Sequence, residues 1–244
     1  MIKGLWNSLS GMLPRLTRQD LAANNLANVT TTGYKKDRAF LQSFLDAEMM
    51  AEINRSTQHR VLDLEDIKTD HSQGLMQETG NPLDLGILGN GFFAIETDQG
   101  ERYTRNGNFM LNAESQLVTA DGNRVLDEGG GYIYINEGQV FVDERGQINI
   151  DNEPVATLRV VDFDDLSKLK KIANNLFAPE LPNIQPRQAE NFQIKHGFLE
   201  RSNVNPVEEM VNMIVYFRNY EADSRILQAQ DDTLRRAVND VGRA

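Results

Sequence analysis

The sequence predicts an α+β fold in which two long terminal helices pair as a coiled coil and flank an inserted antiparallel β domain. Three observations predict it: an apolar repeat in steps of three and four residues near each terminus, and short alternating runs separated by turn signals between them. A helix with such a stripe buries it against another helix. We therefore expect the terminal helices to be partners, although each stripe alone also fits a core-facing helix of an ordinary globular protein.

The C-terminal helix has the clearest start. Asn205 is a capping residue type, Pro206 suits the first helical position, and the acidic residue Glu208 follows in the first turn. At about 1.5 Å per residue, a helix from there to residue 241 would be roughly 50 Å long. Its predicted assembly seam, interrupted by two polar residues, consists of Met213, Phe217, Tyr220, Leu227, Leu234, Val238 and Val241.

The N-terminal helix is predicted to end near Asn28, because residues 29–32 are mostly β-branched and Gly33 favours a turn. Pro14 lies inside the predicted helix and would kink it, at about 3 kcal/mol, unless the helix begins after it. With Gln19 as the one polar member, the predicted seam consists of Ile2, Leu5, Leu9, Met12, Leu16, Ala23 and Leu26.

The sequence pattern changes at Gly74. After it, short runs of alternating apolar and polar residues are separated by turn signals such as Asn90-Gly91. We expect one or two helical turns at residues 165–172 and then an irregular, proline-rich return to the C-terminal helix. The predicted strands lie at residues 83–88, 91–96, 102–104, 108–111, 116–119, 124–126, 132–135, 139–142, 147–150 and 156–163.

These elements predict four regions. An N-terminal helix of the inner core occupies residues 1–34, and a linker or extended arm with a possible helical patch occupies 35–73. The antiparallel β domain occupies 74–200, and the C-terminal helix of the inner core occupies 201–244.

Composition excludes several kinds of protein. The formal net charge of -11 disfavours nucleic acid as a partner, because phosphate binding needs a cationic surface. There is no cysteine, so neither a disulfide nor a thiolate metal site can form. No apolar run approaches the length of a membrane span, and the N-terminus lacks the pattern of a cleaved signal peptide. We expect no membrane insertion and no Sec-dependent export.

The sequence also lacks a constellation of catalytic residues. The histidines, His59, His71 and His196, have no metal-ligand spacing, and we expect each to lie on the surface. Residues 89–91 begin like a glycine-rich nucleotide loop but suit a hairpin turn better, since no third glycine or lysine follows. We predict no enzymatic activity, no cofactor and no bound metal.

Several motifs, in order along the chain, carry a family resemblance. Residues 23–35 resemble the N-terminal signature of bacterial flagellar rod and hook proteins, and residues 202–211 and 218–222 resemble their C-terminal signature. Four stretches between them are similar to the shared β domain: residues 83–85, 89–93, 103–109 and 117–118. The signature residues are Asn24, Asn25, Leu26, Ala27, Asn28, Gly33, Ser202, Asn203, Val204, Asn205, Pro206, Glu209 and Met210. Pro14 departs from the family pattern, as does Ser115-Gln116, which replaces a turn glycine.

The resemblance implies a structural subunit of the basal-body rod in the periplasm, exported through the flagellar type III apparatus and partnered with other rod and hook-type axial proteins. The small β domain favours rod over hook. Residues 77–84 and the chain length favour the proximal rod type, whereas residues 208–214 resemble the distal type. From the residues alone, a coiled-coil dimer that presents a β-domain binding module is the alternative.

Overall fold

The structure, a computed structural model, describes residues 2–40, 66–136, 138–172, 175–181 and 184–241. For residues 2–13, 40, 66, 234, 237, 238, 240 and 241 it describes the backbone alone. The chain forms two compact units. We call Met1–Ala27, Asp37–Lys68 and Asn205–Ala244 the helical unit, and Asn28–Lys36 with Thr69–Val204 the β unit.

The helical unit contains the two predicted terminal helices, and they contact each other, which confirms the predicted fold class. Helix α1 spans Ile2–Ala27 and continues through Pro14. Helix α2 spans Pro206–Val241. Strands β1, Asp37–Phe40, and β2, Asp66–Thr69, pair with each other. In the part of the chain that the structure describes, neither helix has an apolar stretch long enough to cross a membrane.

The start of α2 follows the predicted capping chemistry. The Asn205 side-chain oxygen accepts hydrogen bonds from the backbone nitrogens of Val207, at 3.1 Å, and Glu208, at 3.4 Å. These amides have no partner within the helix, so the side chain satisfies them. The predicted helix start is confirmed.

The β unit is built from short strands. The first of these are β3 Met76–Glu78, β4 Leu85–Gly89, β5 Phe92–Thr97, β6 Gly100–Thr104, β7 Phe109–Leu111, β8 Leu117–Thr119 and β9 Arg124–Val125. The others are β10 Val140–Val142, β11 Gln147–Ile150, β12 Glu153–Thr157, β13 Val160–Asp162, β14 Leu169–Ile172, β15 Leu176–Pro179, β16 Arg187–Gln188, β17 Phe192–His196 and β18 Phe198–Glu200.

The main sheet has nine strands, with the order β14-β15-β6-β5-β9-β8-β7 and with β13 and β16 joined at β5. A three-stranded sheet has the order β10-β11-β12, and the pairs β17-β4 and β18-β3 complete the unit. Strand β5 is buried on both faces: Phe93 and Ile95 belong to one apolar cluster, Phe92 and Ala94 to another. This explains why its sequence is continuously apolar, whereas a strand with one solvent-exposed face would alternate apolar and polar residues.

Several local predictions were wrong. Residues 132–135 form only isolated bridges, and the run at 156–163 divides into β12 and β13. Of the one or two helical turns predicted at residues 165–172, one is present, the 3₁₀ turn Leu166–Lys168, and the rest of the segment is strand β14. The proline-rich return contains β15 to β18, whose partners β6, β13, β4 and β3 lie far back in the chain. The possible helical patch in the arm lies mostly outside the described residues.

Two sheet ends carry residues that oppose further strand pairing. Strand β12, at one end of the three-stranded sheet, contains Pro154, which has no backbone N–H to donate. Strand β14, at one end of the main sheet, contains Lys170 and Lys171. Proline and lysine are the residues with which natural edge strands avoid pairing with other chains.

The turn before β8 shows how the chain tolerates the missing glycine. Ser115 has a φ of 58°, in the left-handed region, and its backbone carbonyl accepts a hydrogen bond from Ile135 N at 2.8 Å. A residue with a side chain loses about 1–2 kcal/mol in this conformation. The turn geometry is thus the one that suits glycine.

We therefore expect Ser115→Gly to stabilise the protein by about 0.5 kcal/mol, because relief of the strain exceeds the backbone entropy that glycine loses. The urea midpoint of unfolding, monitored by circular dichroism, measures the change. The neighbouring Glu114→Gly should lower the same midpoint, because Glu114 is exposed and its φ is not positive. A decrease for Ser115→Gly would contradict the strain argument.

Candidate functional site

Helix α2 has one shielded face, directed toward α1. Arg15 Nη1 of α1 donates to the Asn219 carbonyl oxygen at 3.2 Å and forms an ion pair with Asp223. Buried or half-buried residues repeat along this face at heptad spacing. We call this face the pairing face, and it consists of Glu209, Met213, Tyr216, Tyr220, Asp223 and Leu227. Steps of four and three residues are the spacing at which one side of a helix meets another helix.

A second face of α2 is apolar and exposed. The exposed fraction is 52% for Ile214 and 49% for Phe217, and their neighbours are similar. We call this surface the exposed stripe, and it consists of Val207, Met210, Val211, Ile214, Val215 and Phe217. Exposed apolar patches are typical of surfaces that contact another protein.

The predicted seam therefore divides between two faces. Met213, Tyr220 and Leu227 lie on the pairing face, whereas Phe217 lies on the exposed stripe. On α1, Leu26 is half-buried, and Leu16 and Ala23 are exposed. The other seam residues lie outside the described side chains: Ile2, Leu5, Leu9, Met12, Leu234, Val238 and Val241.

The two signature segments meet within the β unit. We call residues 28–36 and 200–204 the signature junction. Gly33 N donates to the Glu200 carbonyl oxygen at 2.8 Å, with a φ of 67° at Gly33. A Cβ at Gly33 would lie 2.4 Å from Asn106 N, so neither the backbone conformation nor the space admits a side chain.

A buried ion network lies at the centre of the signature junction. Lys35 Nζ is 2.6 Å from Glu200 Oε1 and donates to the Ser72 carbonyl oxygen at 2.8 Å. Arg105 Nη1 is 3.5 Å from Glu200 Oε2, and Gly74 N donates to Glu200 Oε1. The side chains of Lys35 and Glu200 are 1% and 0% exposed. Buried charges of this kind persist only where they are paired and hydrogen-bonded.

Burial dominates the electrostatics of both cations. It lowers the pKa of Lys35 below its ordinary value, although Glu200 acts in the opposite direction. Burial likewise lowers the pKa of Arg105, and Glu200 again opposes the shift. The Glu200 carboxylate therefore offsets the cost of burying the Lys35 and Arg105 cations.

Side-chain amides complete the signature residues. Asn203 Oδ1 accepts from Lys36 N at 2.8 Å, and its Nδ2 donates to the Asp70 carbonyl oxygen at 2.8 Å. In the helical unit, Asn25 Nδ2 donates to the Asp37 carbonyl oxygen at 2.9 Å, and Asn25 Oδ1 accepts from Asp37 N at 3.0 Å. Asn203 thus joins two backbone segments, whereas Asn25 pairs with both backbone groups of Asp37, as a strand partner would.

The remaining signature residues have simpler positions. Asn28 accepts from Thr31 N through its backbone carbonyl, at 3.2 Å, and the Ser202 hydroxyl oxygen accepts from Val204 N, at 3.3 Å. Val204 and Glu209 are buried, whereas the exposed members are Asn24, Ala27, Pro206 and Met210.

Sequence reasoning missed Lys35, Arg105 and Glu200 as site residues. A signal was present, because Lys35 and Arg105 are charged residues inside segments that resemble family motifs. Their partner Glu200 precedes the C-terminal signature by two residues and carries no motif of its own. Only the fold brings these three positions together.

The histidines also differ from expectation. His71 is half-buried, with its ring 5.7 Å from that of Phe92 and 5.2 Å from that of Phe177. His196 is half-buried beside Phe141. The surface prediction was wrong for both, because these rings pack against aromatic neighbours; His59 lies outside the described residues. Among the described residues, no cluster of acidic and histidine side chains could hold a metal ion.

Comparison with known proteins gives matches along the chain. Family models match in three places: "Flagella basal body rod protein" at residues 5–35, "Flagellar hook protein FlgE/F/G D1 domain" at 86–160, and "Flagellar basal body rod FlgEFG protein C-terminal" at 195–240. The first and third models contain residues of the signature junction, and the second contains Arg105, which pairs with Glu200.

Individual relatives match over nearly their whole length. Flagellar basal-body rod protein FlgG of Bacillus subtilis is 34% identical over 261 residues, which covers 98% of this chain and 99% of the relative. Flagellar basal-body rod protein FlgF of Caulobacter vibrioides is 34% identical over 245 residues, with 100% and 99% covered. Flagellar hook-basal body complex protein FlhO of Bacillus subtilis is 26% identical over 270 residues.

Proposed function

The chain belongs to the flagellar basal-body rod proteins, a family of structural and non-enzymatic subunits, and we propose that it polymerises through its terminal helices into the axial drive shaft of the flagellum. Family membership implies assembly with other axial proteins. The basal-body rod is therefore where the protein acts in motility.

The exposed stripe of α2 is the observation that supports this proposal. The pairing face already serves α1, so the stripe remains for other subunits. Burying the other half of each side chain would contribute about 1 kcal/mol per residue. A contact between two different faces, repeated from subunit to subunit without closing, generates a helical assembly.

Export and assembly fit together in this proposal. A lone subunit gains too little from one helix pair to offset the entropy of ordering two long termini. We propose that the termini order fully only in the polymer, and that the subunit is exported without a cleaved signal through the flagellar type III apparatus. Loosely ordered termini would suit passage through a narrow channel.

Within the rod, we propose the proximal position and an FlgF-type subunit. The chain has 244 residues, and its alignment with FlgF of Caulobacter vibrioides spans 245 positions, so that very few gaps are needed. The alignment with FlgG of Bacillus subtilis spans 261 positions at the same identity. The similarity of residues 77–84 to the proximal type supports the same position.

We expect Ile214→Asp to abolish incorporation into basal bodies, because a charge at the centre of the exposed stripe cannot be desolvated without a partner. The subunit should still be made and exported, since Ile214 is half-exposed in the monomer. Swimming motility and immunoblots of purified basal bodies, in a strain that lacks the native subunit, give the readout. We expect the same loss for Leu227→Asp, which acts through the pairing face.

The matched control is Val155→Asp on β12. Val155 is 48% exposed, close to the 52% of Ile214, but it lies outside the helices. It should leave motility within about twofold of the wild type, as exposed substitutions away from special features usually do. Normal rods with Ile214→Asp, or a stable dimer of the wild type in dilute solution, would contradict the proposal.

A further inference from the structure

We infer that the signature junction is already folded on the β unit in the unassembled subunit, and that Lys35, Glu200 and Arg105 act as positioning residues that fix its register. Residue 28 follows the last residue of α1, and residue 204 precedes the cap of α2 by one position. In the sequence, the two segments of the junction therefore lie directly beside the end of α1 and the start of α2. This inference concerns the isolated monomer, so it stands independently of the proposed place in the rod.

The N-terminal segment of the junction is anchored at several successive residues. Asn175 Nδ2 donates to the Thr32 carbonyl oxygen at 3.0 Å. Lys171 Nζ donates to the Lys35 carbonyl oxygen at 2.7 Å and lies 3.5 Å from the centre of the Tyr34 ring. All of these partners are residues of the β unit. Its order therefore needs no neighbouring subunit.

A second set of contacts involves residues 36, 70, 75, 201 and 203. Asp70 N donates to the Lys36 carbonyl oxygen at 2.8 Å, and Asn203 bridges Lys36 to Asp70. Arg201 N donates to the Leu75 carbonyl oxygen at 2.8 Å. Three separate segments, near residues 33, 72 and 202, are thus tied together by backbone groups as well as by side chains.

The ion network makes one register much more favourable than its neighbours. A slip by one residue that places Tyr34 where Lys35 now meets Glu200 would leave a fully buried carboxylate without its closest cation. The opposite slip would place Lys36 there, but it would also bring Tyr34 to the position of Gly33, where a Cβ would lie 2.4 Å from Asn106 N. A buried charge that loses its partner is strongly destabilising, whereas a hydrophobic contact tolerates small shifts. Neutral side chains would hold the segment equally well but would discriminate registers less.

Hydrogen exchange of the full-length chain, kept dilute enough to be monomeric, tests the inference. We expect the amides of Gly33 and Lys36 to exchange at least about a hundredfold more slowly than in an unfolded chain, because both are hydrogen-bonded within a buried segment. Unprotected amides at residues 33 and 36 in the monomer would overturn the inference.

Three variants then test the role of the charges. Glu200→Gln should speed exchange at residues 33 and 36 roughly a hundredfold, since it leaves two buried cations without a carboxylate. Lys35→Met should have a smaller effect, because Arg105 still pairs with Glu200. In the double variant the acceleration should fall well short of the product of the single effects, which is the behaviour of residues in direct contact.

The control separates opening of the junction from unfolding of the whole β unit. Ile148 is fully buried in the main core, and Ile148→Val should speed the slowest core amides while exchange at residues 33 and 36 stays unchanged. Equal acceleration of both sets by Ile148→Val would show that the junction opens only when the whole β unit unfolds, which also supports a junction that is folded in the monomer. A Glu200→Gln variant with wild-type exchange would overturn the inference.

Discussion

Gly107→Ala is expected to destabilise the β unit by about 4 kcal/mol or more, a large part of the total stability of a typical domain. A Cβ at Gly107 would lie 1.6 Å from the Leu85 carbonyl oxygen and 2.7 Å from the Leu85 carbonyl carbon. Both are backbone atoms of β4, and Leu85 N also donates to the Gly107 carbonyl oxygen at 3.0 Å. Relief would require the two segments to separate and to lose this bond.

Urea unfolding of the full-length variant measures the effect. The matched control is Gly129→Ala, where the nearest atom to a new Cβ is the side-chain oxygen of Asp127, at 3.3 Å. Neither glycine has a positive φ, so neither substitution meets left-handed backbone strain, and the pair tests the available space. We expect the control to change stability by less than about 1 kcal/mol. Similar costs for both variants would contradict the steric argument.

Gly33→Ala has the second large effect, because it combines strain with a backbone collision. The left-handed conformation alone costs a residue with a side chain about 1–2 kcal/mol. The new Cβ would also lie 2.4 Å from Asn106 N and 2.5 Å from the Arg105 carbonyl carbon, so the segment must leave the surface that holds it. We expect a total loss of about 3 kcal/mol or more, with the signature junction opened.

Gly80→Ala is a close control for that variant. Gly80 has a φ of 72°, compared with 67° at Gly33, and a Cβ there would meet no atom within 4 Å. Its cost should therefore be the strain alone, about 1–2 kcal/mol. The difference between the two urea midpoints isolates the collision. Equal midpoints would mean that the segment containing Gly33 is not packed against Asn106 in solution.

The helix ends were predictable because their signals are local. Asn205, Pro206 and the residues that follow specify the start of α2 through capping and backbone geometry within one turn. The β-branched run after Asn28 likewise ends α1 close to the predicted point. Local signals of this kind do not depend on the rest of the fold.

The strands after residue 168 were not predictable from local pattern. Strand β15 pairs with β6, and β17 pairs with β4, across more than half of the β unit. Prolines surround these runs and suggest irregular structure. The pairing is decided by partners distant in sequence, and strand preference depends strongly on such context.

The candidate site was likewise predictable only in part. A three-and-four repeat predicts that α2 has a seam, but α2 is apolar on two adjacent faces, so the repeat alone could not tell Tyr216 from Phe217. The ion network joins positions 35, 105 and 200, and no spacing in the chain relates them. Charged residues within signature motifs indicate buried pairing, yet the partner becomes visible only in the fold.

The two protected sheet ends, β12 and β14, have a consequence for the proposed assembly. In a chain that exposes apolar surface, open strand edges can pair with other chains and stack into stable aggregates. Pro154 on β12 and the exposed Lys170 on β14 oppose such pairing at these two edges. At these two edges, strand pairing therefore does not compete with the helix contacts through which we propose that the subunit polymerises.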